Sequence, residues 1–76
     1  MSNEAKIKEI IMKTLDVSAD EIKPDQSIAQ CLGVDSTELV EISVAIKKTL
    51  NVPLKDNELK KTHTFKQIVE IVNSKV

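Results

Sequence analysis

Asp35-Ser36-Thr37-Glu38-Leu39-Val40-Glu41-Ile42-Ser43-Val44-Ala45-Ile46-Lys47-Lys48-Thr49-Leu50 carries the signals of a helix from start to stop. Asp35 is a capping residue, Glu38 stands three positions on to close a capping box, and Val34 and Leu39 are spaced as a hydrophobic staple. The buried side is expected to run Leu39, Ile42, Ser43, Ile46 and Leu50, with Val40 and Val44 beside it. Lys47 and Lys48 suit the negative end of the helix dipole, and Asn51 is a natural stop.

Two further helices flank this one. Upstream, Ile7, Ile10, Ile11 and Leu15 recur at i, i+3, i+4 and i+8, the stripe of an amphipathic helix that Ser2 or Asn3 can cap. Ser18-Ala19-Asp20-Glu21 has a capping-box pattern but can start only a short turn, because Lys23 precedes Pro24 and is pushed out of helical backbone. From Pro24 to Asp35 the apolar residues Ile28, Leu32 and Val34 are too sparse for a helix face, and they predict a loop pinned onto a core at intervals. Downstream, Pro53 and Leu54 make a short connection and Asp56 to Lys61 reads as a single short helix. Thr64 and Gln67 then box the start of a third long helix, with Phe65, Ile68, Val69, Val72 and Val76 on its apolar side. No strand alternation or repeat interrupts this order. The expected fold is all-α: a three-to-four-helix bundle with a long loop between helices 1 and 2 and a short third helix, as one domain over residues 1–76.

Composition narrows the function. In 76 residues, 11 Lys face 12 Asp and Glu, and there is no Arg, so the planar fork that reads guanine or clamps phosphate is missing. Phe65 is the sole aromatic, which leaves nucleic-acid bases nothing to stack on. One cysteine and one histidine exclude a disulfide framework and an intrachain zinc site. No apolar run is long enough to span a membrane, Met1 to Glu9 holds no signal-peptide core, and a cytoplasmic, reducing setting is expected.

The chemistry centres on Ser36. With Asp35 as cap, Ser36 takes the first helical position with its hydroxyl unused and turned to solvent. A phosphate on it would lie where unpaired N–H groups and the dipole favour an anion. Gly33 keeps the approach clear of bulk.

Gly33-Val34-Asp35-Ser36-Thr37, followed by Glu38-Leu39-Val40-Glu41-Ile42, resembles the signature of the acyl carrier proteins, a Gly-x-Asp-Ser-Leu segment that opens their second helix. The resemblance spans the chain in length, helix order, long first loop and Thr-rich start of the last helix at Thr62 to Thr64. It implies that Ser36 bears a 4′-phosphopantetheine arm, added from coenzyme A by a phosphopantetheinyl transferase that recognises Asp35. Acyl groups would ride on the arm's thiol as thioesters. It further implies a monomer that is no enzyme itself, binds no metal and serves acyl-transfer and condensing enzymes of fatty-acid, polyketide or related biosynthesis. Thr37, Glu38 and Glu41 would form a docking face, and Val40, Val44, Leu59 and Phe65 would line an acyl pocket. Two features depart from the family: Thr37 stands where Leu is usual, and Lys47 and Lys48 interrupt a helix that is acidic along its length in fatty-acid carriers.

Blander readings remain beside this one. Asp35-Ser36 is also an ordinary helix start, Glu38 and Glu41 also a solvated face, and the chain also a helical interaction module without a prosthetic group. Cys31 reads as an apolar loop anchor and His63 as a surface residue, since no third group is placed to orient a Cys–His pair. An enzyme finds no acid/base pair, nucleophile dyad or Gly-rich phosphate loop here.

Overall fold

A computed structural model describes residues 3–55 and 58–75. Four helices form: α1 (Glu4–Leu15), α2 (Ile28–Leu32), α3 (Ser36–Leu50) and α4 (Phe65–Asn73), with a single 3₁₀ turn at Ala19–Glu21 between the first two. No strand is present among the described residues, only an isolated bridge between Ser27 and Thr64. The all-α bundle read from the sequence is therefore the observed fold.

Each long helix buries most of its expected stripe, with Leu15 and Leu50 half-buried against its edge. Ile7, Ile10 and Ile11 of α1, Leu39, Ile42 and Ile46 of α3, and Phe65, Ile68, Val69 and Val72 of α4 meet in one core. α1 lies against α3. It runs antiparallel to α4: Asn3 N–H donates to Asn73 Oδ1 at 3.4 Å at one end, and Lys8 Nζ sits 5.9 Å from the centre of the Phe65 ring at the other. Ser43 is the one polar side chain buried among the described residues, and its hydroxyl donates to the Leu39 carbonyl of the preceding turn at 3.1 Å. That internal bond removes the cost of taking the hydroxyl out of water.

Caps explain the boundaries. Thr64 accepts from Gln67 N–H at 3.1 Å while Gln67 Oε1 accepts from Thr64 N–H at 2.9 Å. Ser18 N–H donates to Glu21 Oε2 at 2.8 Å and starts the 3₁₀ turn. Asp16 and Asn51 end α1 and α3 in left-handed backbone, each with φ of 55°. Asn3 occupies the cap position of α1 but its side chain makes no capping bond, and Ser2 lies outside the described residues.

Three expectations need correction. The stretch between Pro24 and Asp35 is not all loop, because Ile28–Leu32 is helical. Ser27 Oγ accepts from Gln30 N–H at 3.2 Å, and Gly33 closes the turn with φ of 66° and an N–H bond to the Ala29 carbonyl at 2.9 Å. Caps at both ends stabilise what the thin apolar pattern alone does not predict. Conversely, Glu58 to Lys61 forms turns where a short helix is expected; Asp56 and Asn57, its other half, lie outside the described residues, as does Val76 of the last stripe. Finally, Val40 is 43% exposed. One residue past Leu39, it is rotated by about 100° away from the core.

Candidate functional site

The α2–α3 junction is fixed from both sides. At the start of α2, Ile28 N–H donates to the His63 carbonyl at 2.8 Å and Ala29 N–H to the Lys61 carbonyl at 3.3 Å. The first amides of this helix, which have no partner within it, are thus satisfied by the segment that leads into α4. His63 is more than a surface residue: it is half-buried, its Nδ1 accepts from Lys60 N–H at 3.0 Å, and its carbonyl anchors α2. Cys31 lies half-buried on α2 with its sulfur 4.0 Å from the Ile28 carbonyl. No group of three or more possible metal ligands occurs among the described residues.

From Gly33 the chain passes through buried Val34 into the cap of α3. Asp35 Oδ1 accepts from Glu38 N–H at 2.8 Å, and Glu38 Oε1 accepts from Asp35 N–H at 3.1 Å. The box uses one oxygen of each carboxylate and leaves Ser36 out of it. Ser36 is exposed at the first position of α3, and its hydroxyl bonds to no described residue. Its amide and that of Thr37 precede the first intrahelical bond, so they face outward with the positive end of the dipole. A side chain added at Gly33 would meet nothing within 4 Å, so the space in front of the junction is open.

The other expected site residues divide by environment. Thr37 and Glu41 are exposed and Glu38 is half-buried, so the three share the outer side of the first turns of α3. Of the four pocket candidates, Leu59 and Phe65 are core residues at 2% and 1% exposure, Val44 is half-buried, and Val40 stands outside on the same side of α3 as Ser36, one turn on. Lys47 and Lys48 are exposed in the last turn, about 16 to 18 Å along the helix from Ser36. α3 is thus acidic at its start and basic at its end. The sequence reading missed the anchoring of α2 by residues 61 and 63; Ser27-x-x-Gln30 ending at Gly33 was the available signal for the helix, whereas the partner carbonyls are set by tertiary structure.

A family model described as the phosphopantetheine attachment site matches residues 5–72. An acyl carrier protein of Nitratidesulfovibrio vulgaris (strain DP4) is 39% identical over 75 residues, covering 99% of each chain. One from Petrotoga mobilis is 38% identical over 71 residues, covering 93% of this chain and 84% of its own. With a match of this extent, the chain belongs to the acyl carrier protein family, non-catalytic carriers with a covalently attached 4′-phosphopantetheine.

Proposed function

We propose that Ser36 is the residue that bears the 4′-phosphopantetheine, and that the chain presents acyl thioesters to a set of partner enzymes. The observation that carries this reading is the exposed Ser36 hydroxyl, free of partners at the start of α3 while Asp35 and Glu38 close the cap around it. The residues fit the group. An attached phosphodiester would meet the outward amides of the first turn, and Gly33 leaves room for a transferase to reach the hydroxyl. When bound, the group supplies a flexible arm whose terminal thiol holds the acyl chain. Ser36 takes part by losing its hydroxyl proton and forming an ester to the phosphorus of coenzyme A's diphosphate, with the nucleotide half leaving.

Asp35 holds the backbone of that turn and offers the transferase a negative charge beside the serine. Thr37, Glu38 and Glu41 supply the polar docking face around it, and exposed Val40 its apolar contact. Val44, Leu59 and Phe65 would shelter a short acyl chain by yielding core space, in a reducing cytoplasm that keeps Cys31 and the arm's thiol free. The basic end of α3 favours a specialised pathway over the standard fatty-acid enzymes, whose partners suit an acidic helix.

The test is loading in solution: coenzyme A and a broad-specificity phosphopantetheinyl transferase add one arm to the natural chain and none to Ser36→Ala. Loading with acyl groups of graded length then reads the pocket, since hydrolysis slows for the lengths it shelters. An arm gained by the alanine variant would overturn the assignment.

A further inference from the structure

His63 closes a turn with Lys60 by two bonds that run in opposite directions. The His63 N–H donates to the Lys60 carbonyl at 3.0 Å, and the ring Nδ1 accepts from the Lys60 N–H at 3.0 Å. The carbonyls that hold the start of α2, those of Lys61 and His63, both belong to this turn. α2 depends on them, because five residues are too few to hold a first helical turn unaided. Only Gly33, buried Val34 and the Asp35 cap then separate the end of α2 from Ser36. The ring of His63 is therefore tied to the modification site through one turn and one short helix.

An acceptor Nδ1 needs its lone pair, so this bond requires the neutral imidazole with its hydrogen on Nε2. Proton uptake turns both ring nitrogens into donors, and the Lys60 N–H then meets an N–H where it had an acceptor. Histidine is the side chain whose charge changes between about pH 5 and 8. Among the described residues, the cation would stand beside exposed Lys60 and Lys61 of its own turn and Lys66 at the start of α4, with Lys8 of α1 over the ring of Phe65, two residues on. On its own segment Glu58 is taken up by Lys75. On the facing segment, from Pro24 through α2, Asp25 is the one carboxylate and Cys31 the one other titratable group. We propose that His63 is a positioning residue for Ser36: the neutral ring keeps the turn closed and α2 docked, and its protonation releases both and slows addition of the arm. The last step rests on Ser36 being the attachment residue; the release of α2 does not.

The full chain, labelled with nitrogen-15, is titrated from about pH 8 to about pH 5. The amides of Lys60, Ile28 and Ala29 are expected to shift together with the ring protons of His63. Exchange of the Ile28 amide, corrected for the intrinsic effect of pH, is expected to quicken by about fivefold across the titration, as loss of one hydrogen bond allows. His63→Asn places Oδ1 where Nδ1 stands and cannot titrate, so it is expected to keep the slow exchange throughout. His63→Ala has no acceptor and is expected to exchange fast at every pH, with circular dichroism establishing that both variants are folded. Transferase rates are then taken as the ratio of the natural chain to His63→Asn at each pH, which cancels the transferase's own pH dependence; the ratio is expected to fall with the ring titration. Exchange at Ile28 that ignores the ring titration, or that varies equally in His63→Asn, would overturn the proposal. So would a flat rate ratio beside responsive exchange, since α2 would then not position the serine. Failure of the natural chain to load at neutral pH would instead sink the assignment of the arm to Ser36, and the exchange data would still decide whether the ring holds α2.

Discussion

Replacing Asp35 separates its two roles, because alanine removes both the cap and the charge whereas asparagine removes only the charge. In the structure Asp35 Oδ1 accepts from Glu38 N–H at 2.8 Å, and the return bond from Asp35 N–H to Glu38 uses backbone that every variant keeps. Asp35→Ala therefore deletes one of the two bonds of the box. Loss of such a cap costs about 1 kcal/mol, within a range of roughly 0.5 to 2, or about 4 to 8 °C in melting temperature for a domain of this size. Asn is as good a cap as Asp, so Asp35→Asn is expected to lose only the interaction of a carboxylate with the helix dipole, about 0.3 to 1 kcal/mol. Thermal denaturation followed by circular dichroism gives the two shifts. Transferase assays well below both melting temperatures then ask about charge alone: Asp35→Asn, folded and capped, is expected to load Ser36 more slowly. If Asp35→Ala melts with the natural protein, the cap is not held in solution. If Asp35→Asn loads at the natural rate, the charge plays no part in recognition.

Gly33→Ala isolates backbone conformation, because the added methyl meets nothing within 4 Å while φ stays at 66°; it is expected to cost about 1 kcal/mol, and an unchanged melting temperature would contradict the left-handed turn. The Lys75 ammonium, 2.6 Å from Glu58 Oε2, and the Lys55 N–H hold the Glu58 carboxyl below its ordinary range, so it stabilises the fold above that range and ceases to as pH falls through it. Glu58→Gln is accordingly less stable than the natural protein near neutrality, and the gap in melting temperature closes as pH falls into and below the ordinary carboxylate range; a constant gap would show the pair is not formed. Reversing Lys47 and Lys48 to Glu is expected to speed turnover with a basic fatty-acid ketosynthase at low salt, with rates converging at high salt, and equal rates would remove these lysines from partner choice.

Where a local signal is complete, the residues predict their own structure. α3 and α4 begin at Asp35 and Thr64 because each side chain bonds an amide three residues on, and α3 stops at Asn51 because Asn tolerates left-handed backbone. The site at Ser36 is legible for the same reason, being built from one capping box and its neighbours. α2 was hidden because five residues hold too few apolar positions to show a period, and its first amides are answered from residues 61 and 63, more than thirty positions away. The Glu58–Lys75 pair and the Lys8–Phe65 contact depend likewise on tertiary packing. Val40 was misread because apolar character alone does not say on which side of the stripe a residue falls.

Intact-mass analysis of the protein from its native host, followed by fragmentation of the peptide that spans Gly33 to Leu39, tests the central claim most directly. The account predicts one phosphopantetheine, with or without an acyl group on its thiol, localised to Ser36. A chain recovered without the arm, or with it on Ser43 or any other residue, would contradict it.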